Sequence, residues 1–200
     1  MLREAEEMSL PRERFSLSIA EYLAGERDGA VRHEYVAGQV YAMAGASARH
    51  NRIALNIAGR LNDHLAGDEC EAFMADMKIR VTPDLFYYPD VVVTCDPPGG
   101  DSYFRTAPRL IIEVLSRTTE RTDRHEKLAA YQACESVQEY ALVSQEQMFV
   151  ELHRRSADGW QTEIFTEPDA ACTFHSVGLT LSLKEIYRNV SFDEATDIER

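Results

Sequence analysis

Three observations predict a mixed α/β fold for this chain. Residues 47–65 carry Ile53, Leu55, Ile57, Leu61 and Leu65 as an apolar stripe, with Arg49, Arg52 and Arg60 on other faces, the pattern of an amphipathic helix. Two short apolar runs, within 85–94 and 110–115, are bounded by proline and polar residues and read as buried strands. Residues 137–144, 148–155 and 159–165 then follow one another as consecutive strands. With 44% hydrophobic residues in 200, the chain has apolar material for a core, and no repeat, heptad or low-complexity tract interrupts it. One domain is expected over 15–190, with a flexible segment 1–14 before it and a frayed end 191–200 after it.

Taken in order, residues 15–25 predict a short helix, with Ser16 or Ser18 as cap and Ile19, Tyr22 and Leu23 at helical spacing. Residues 33–43 read as a hairpin turning at Ala37-Gly38, where glycine supplies left-handed backbone freedom, and Glu34 stands near its start. Gly67-Asp68 ends the long helix. Strands are expected at 70–81 and 85–94, joined by the Thr82-Pro83-Asp84 turn. The polar connection 95–108, with Pro97-Pro98-Gly99-Gly100, reads as a mobile, substrate-contacting flap. A strand at 110–115, a loop at 116–122 and a helix to about Cys134 follow, with Leu128 and Tyr131 inward. After the three consecutive strands, 177–187 reads as a strand and a short helix.

Several function classes are excluded by composition. The first residues are charged rather than apolar and no apolar run reaches membrane-spanning length, so a cytoplasmic protein without a membrane anchor is expected. Cys70, Cys95, Cys134 and Cys172 form no C-x-x-C pair and read as reduced, mostly buried thiols. The histidines show no H-x-x-x-H pairing, which argues against a zinc hydrolase. A net charge of −13 opposes a broad nucleic-acid-coating surface. That acidity is uneven: residues 135–200 hold 13 acidic against 5 basic residues, whereas 101–131 hold 5 against 6.

Two carboxylates interrupt the apolar strands. Asp90 follows Pro89 directly before Val91-Val92-Val93, and Glu113 sits inside Leu110-Ile111-Ile112-Glu113-Val114-Leu115. A carboxylate buried without a partner costs several kcal/mol or shifts its pKa until neutral, so two such insertions call for a cation or a hydrogen-bond cage. Alternation along the strand puts Ile111, Glu113 and Leu115 on one face. The following helix offers Asp123 and Lys127 at i, i+4 with Tyr131 a further turn on, so Lys127 can point back at Glu113.

Together these residues resemble the Uma2-like branch, formerly a domain of unknown function, of the PD-(D/E)XK nuclease superfamily. The resemblance runs over about residues 15–187. Its elements are the Glu34 hairpin with Gly38, the small-residue turn before His50, and Tyr88-Pro89-Asp90-Val91. They continue with Pro108-x-Leu110-Ile111-Ile112-Glu113-Val114-Leu115-Ser116, Asp123-x-x-x-Lys127-x-x-x-Tyr131, and Val137-Gln138-Glu139-Tyr140. In one respect the chain departs from the superfamily: the strand lysine two residues after the glutamate is replaced by Leu115, which nominates Lys127 from the helix. The resemblance implies a restriction-endonuclease-like core, a mixed sheet flanked by helices, in a metal-dependent endodeoxyribonuclease. It implies Asp90, Glu113 and Lys127 as catalytic residues, with Glu34 and His50 as accessory candidates. Mg²⁺ or Mn²⁺ would be held by Asp90 and Glu113, with Glu34 and the Val114 backbone carbonyl as further ligand candidates. DNA as partner and a homodimer follow from the same likeness.

Singly, each residue has an ordinary structural role. Glu113 could pair with Arg109 or Arg117, Asp90 could cap a turn, Lys127 could form a solvated pair with Asp123, and His50 and Glu34 could be exposed polar groups. Tyr87, Tyr88 and Tyr131 read first as core. Two other functions stay open at this point: a nuclease-derived binding or assembly module without activity, and a phosphoesterase acting on a smaller substrate.

Overall fold

The computed structural model describes residues 16–97 and 100–192. The segment 1–14 expected to be flexible, and all but the first two residues of the tail expected to fray, lie outside the described residues.

Helix α1 (Ile19–Asp28) starts three residues inside the described region because Ser18 closes a reciprocal capping box. Its hydroxyl accepts from the Glu21 N–H while the Glu21 carboxylate accepts from the Ser18 N–H. Strands β1 (His33–Val36) and β2 (Gln39–Ala42) form the expected hairpin. Its turn residues Ala37 and Gly38 have φ of 46° and 90°, the left-handed pair of a two-residue hairpin turn. A Cβ on Gly38 would also lie 2.1 Å from Ser16 Oγ, so a larger residue there would have to displace that hydroxyl.

Helix α2 (Ala48–His64) is capped by the Ser47 hydroxyl, which accepts from the His50 N–H. Ile53, Ile57 and Leu61 are buried, whereas Leu55 is 51% exposed and does not belong to the stripe. Two positions along a helix is about 200° around it, which turns Leu55 away from Ile53.

Both long strands expected next are broken in two. Residues 70–81 divide into β3 (Glu71–Met74) and β4 (Lys78–Thr82) at Ala75, whose φ is 54°. Residues 85–94 divide into β5 (Leu85–Tyr87) and β6 (Val91–Thr94), because Pro89 has no N–H to continue a ladder. Each break passes the chain from one sheet to the other. The polar connection holds β7 (Phe104–Arg105), and the Asp96 carboxylate ties it by accepting from Thr106 N–H, Thr106 Oγ1 and Ala107 N–H.

Strand β8 (Pro108–Leu115) leads to one continuous helical stretch: α3 (Glu120–Thr122), a π-helical turn (Asp123–Lys127) and α4 (Leu128–Ala133). Then come β9 (Glu139–Ser144), β10 (Val150–Ser156), β11 (Gly159–Phe165), β12 (Ala171–Phe174), β13 (Leu179–Ser182) and α5 (Leu183–Ile186). Strand β12 was not anticipated. Its alternation of buried Cys172 and Phe174 spans only four residues, too short a signal to read alone.

The main sheet has the order β11-β10-β9-β8-β6-β3, antiparallel except for the parallel pair β8–β9 that the helical stretch 120–133 connects. A second sheet runs β2-β1-β5-β4-β7, and β12–β13 form a separate pair. One face of the main sheet packs Val91, Leu110 and Ile112 against α2, β13 and α5. The other packs Ile111 and Leu115 against Tyr131 and against Ile79 and Tyr87 of the second sheet. Tyr87, Tyr88 and Tyr131 are buried, as their core reading requires. No described helix is long and apolar enough to cross a membrane.

The cysteine expectation is corrected. Cys70 and Cys95 form a disulfide, while Cys134 is half-buried and Cys172 buried, both unbridged. The β3–β6 register pairs Glu71 with Thr94, so the residues just outside that pair meet across the strands. A sequence separation of 25 hides this adjacency until the pairing is known.

Candidate active site

The two irregular carboxylates come together through strand register. Val91 pairs with Ile112, which sets Asp90 against Glu113, and Glu113 shares the face of Ile111 and Leu115. The backbone locks them reciprocally: Val114 N–H donates to Asp90 Oδ2 at 2.7 Å, and Asp90 N–H donates to Glu113 Oε2 at 3.3 Å. His50, on the first turn of α2, places Nε2 3.1 Å from the same Asp90 Oδ2. Its Nδ1 is buried without a hydrogen-bond partner among the described residues.

Lys127 fills the space beneath. Its Nζ lies 3.0 Å from Glu113 Oε1, 3.0 Å from Glu34 Oε1 and 3.3 Å from Asp123 Oδ1. Tyr131 OH donates to Glu113 Oε1 at 3.3 Å, and Tyr88 N–H donates to Glu34 Oε1 at the same distance. The π-helical turn accommodates Asp123 and Lys127 together against the sheet, and widened turns of this kind recur where side chains must be re-aimed. Above the cluster opens a cavity of about 440 Å³, reached by Glu34, Asp90, Glu113 and Lys127.

Three carboxylates therefore surround one ammonium. Burial pushes the Glu113 carboxyl well above the ordinary range; Lys127 opposes that shift, and Asp90, Asp123 and Glu34 add to it. Asp123 is raised for the same first reason, burial, against the pull of Lys127 and Thr119. Burial alone would lower the Lys127 ammonium, but Glu113, Glu34 and Asp123 outweigh it and hold its pKa well above the usual value. Burial likewise works against a charged His50, and the hydrogen bond and charge of Asp90 leave its pKa raised.

The cavity floor offers oxygen ligands. Glu34, Asp90 and Glu113 are hard oxygen donors that suit Mg²⁺ or Mn²⁺, and they carry surplus negative charge. Among the described residues, no three His, Cys, Asp or Glu side chains form a preassembled metal cage. The reason is visible in the contacts: Glu113 Oε1 is turned to Lys127, and Asp90 Oδ2 to His50 and Val114.

The profile of the Uma2 family, described as "Putative restriction endonuclease", matches residues 19–184. The chain belongs to the Uma2 family. It is 36% identical over 178 residues to "Uncharacterized protein slr1290" of Synechocystis sp., covering 88% of this chain and 94% of that one. It is 32% identical over 146 residues to "Uncharacterized protein sll1609" of the same organism, covering 71% and 82%. In structure it is similar to a chain from Anabaena variabilis titled a putative nuclease belonging to DUF820, with a TM-score of 0.63, 22% identity, and coverage of 78% of this chain and 89% of that one. That likeness shows the fold, mixed sheets flanked by helices.

All five residues nominated from sequence, Glu34, His50, Asp90, Glu113 and Lys127, meet at this cavity in the Uma2 chain. Glu113 pairs with neither Arg109 nor Arg117 but with Lys127, and the Asp123–Lys127 pair is buried rather than solvated. Sequence reasoning missed the hydroxyl loop of Ser116, Thr118 and Thr119, which also lines the cavity. It missed Tyr41 as well, although the hairpin register around Ala37-Gly38 pairs that residue with Glu34 and could have pointed to it.

Proposed function

We propose that this chain is a metal-dependent endodeoxyribonuclease whose site is built from Asp90, Glu113 and Lys127, with Glu34 and His50 in support. The observation that carries this reading is the surplus of buried carboxylates around a single ammonium, at the base of an open cavity. Membership in a family described as "Putative restriction endonuclease" and the structural likeness to a chain titled a putative nuclease support hydrolysis of nucleic acid in general. DNA as substrate, Mg²⁺ or Mn²⁺ as the ion and a homodimer as the working form are parts of the proposal.

Asp90, Glu113 and Glu34 are the residues that would hold the ion. A divalent cation held there supplies acidified water and positive charge at the scissile phosphate. Lys127 stays protonated at neutral pH, since its pKa is raised, so it serves as an electrostatic clamp and not as a base. Its ammonium keeps Glu113 and Glu34 aligned and faces the negative charge that develops on a phosphoryl oxygen. His50 orients Asp90 through Nε2. Tyr131 restricts the rotation of Glu113 through its hydroxyl.

The test is cleavage of supercoiled plasmid and of short DNA strands with Mg²⁺ or Mn²⁺. Wild type should nick or cut, and chelation or Asp90→Ala should abolish it. Absence of cleavage on every DNA form, with no calorimetric signal for either ion, sinks the reading.

A further inference from the structure

Of the nine tyrosines in the chain, seven are buried, and exposed Tyr103 has the Arg27 guanidinium 5.1 Å over its ring. Tyr41 differs from all of these. It is 56% exposed, and its ring has no aromatic or cationic partner among the described residues. Its place is also specific. Strand β2 pairs Tyr41 directly with Glu34 of β1, and residues opposite each other in a ladder project from the same face. The Glu34 carboxylate on that face reaches Lys127, so Tyr41 stands on the site side of the hairpin and lines the cavity rim. Met74, 36% exposed, lines the cavity as well and adds a polarizable apolar surface.

Electrostatics of the cavity sharpen what this rim can receive. Lys127 is the sole Lys or Arg among the lining residues, and three carboxylates already hold it. Duplex and single strand alike draw affinity from lysines and arginines against phosphates, and the lining has little of that to offer. A planar ring open to solvent offers something else, a face on which a base can stack. In a duplex both faces of every internal base are covered by neighbours; in a single strand, a flap or a frayed end they are not.

We infer that Tyr41 is a stacking platform for an unpaired nucleobase, and that the substrate entering this site is single-stranded nucleic acid or an unpaired segment of it. The inference rests on the nuclease reading and narrows its substrate. Stacking tolerates every base, so it gives strand preference without sequence preference.

Binding can be measured apart from turnover, in an Asp90→Asn background, by anisotropy of a labelled mixed-sequence single strand. The same strand annealed to its complement and an abasic strand of equal length serve as comparisons, each with and without Mg²⁺. The single strand should bind more tightly than the duplex. Tyr41→Ala should weaken it about tenfold and Tyr41→Phe should leave it unchanged, which separates ring from hydroxyl. The abasic strand, with the same phosphates, should bind weakly and be indifferent to Tyr41→Ala. Equal binding by Tyr41→Ala and its background, or a duplex preferred over the single strand, overturns the inference. If wild type nevertheless cleaves DNA with Mg²⁺ or Mn²⁺, the nuclease reading survives that failure; if nothing is bound and nothing is cut, both fall.

Discussion

Glu113 and Glu139 sit on neighbouring strands of the same sheet, both almost wholly buried, yet they are held in opposite ways. Glu139 is rich in donors. Oε1 accepts from Arg154 Nε at 2.8 Å and His175 N–H at 3.0 Å, and Oε2 accepts from Ser176 N–H at 2.8 Å and Ser176 Oγ at 2.5 Å. Glu113 has fewer: one ammonium, shared with Glu34 and Asp123, a tyrosine hydroxyl, and the Asp90 N–H at 3.3 Å. A carboxylate whose lone pairs are all matched anchors a fold, here the β12–β13 turn against β9. A carboxylate competing with others for one cation is left with charge unmatched, and Glu113 borders a cavity. Burial alone therefore does not separate the two acids; the ratio of donors to acids does.

The largest effect should split the two glutamates by activity. Glu113→Gln is expected to lower plasmid cleavage about a thousandfold, whereas Glu139→Gln should keep the rate per folded molecule. Equal losses in both would erase the distinction. Stability should split them the other way. Glu139→Ala strands the Arg154 guanidinium and the 175–176 turn, and should cost about 3 kcal/mol in urea unfolding. Glu113→Gln removes one of several competing negative charges and should leave the unfolding midpoint level or raised. The smallest effect concerns the ammonium itself. Lys127→Met removes the cation that competes for Glu113 and Glu34, so Mn²⁺ binding followed by calorimetry should tighten about tenfold even as cleavage is lost. Weaker binding would mean that Lys127 organises the acids more than it competes for them.

Much of this contrast was already legible in the chain. Pro89-Asp90 before three valines, and Glu113 amid apolar residues, mark acids where the strand pattern wants none. Asp123, Lys127 and Tyr131 share a face by spacing, and all three meet Glu113 or its ammonium in the fold. Less was legible for Glu139. It stood in the motif Val137-Gln138-Glu139-Tyr140 with no sign of its cage, because its donors come from residues 154, 175 and 176 on other strands and turns. The disulfide was hidden for the same reason, and so were the two strand breaks at Ala75 and Tyr88-Pro89-Asp90, where a local apolar run conceals a change of sheet.

By itself the sequence determined the periodic and local features: a serine cap at Ser16 or Ser18, the Ala37-Gly38 turn, the α2 stripe apart from Leu55, and which carboxylates are anomalous. These depend on side chains within one or two turns of each other, where spacing is geometry. Only the tertiary structure decided who partners those carboxylates. The β6–β8 register joins Asp90 to Glu113, the crossover between β8 and β9 lays Lys127 on both Glu113 and Glu34, and the hairpin brings Tyr41 to the rim. A buried charge has its meaning from the nearest opposite charge, and for Glu113 and Glu34 that charge is Lys127, supplied by another element.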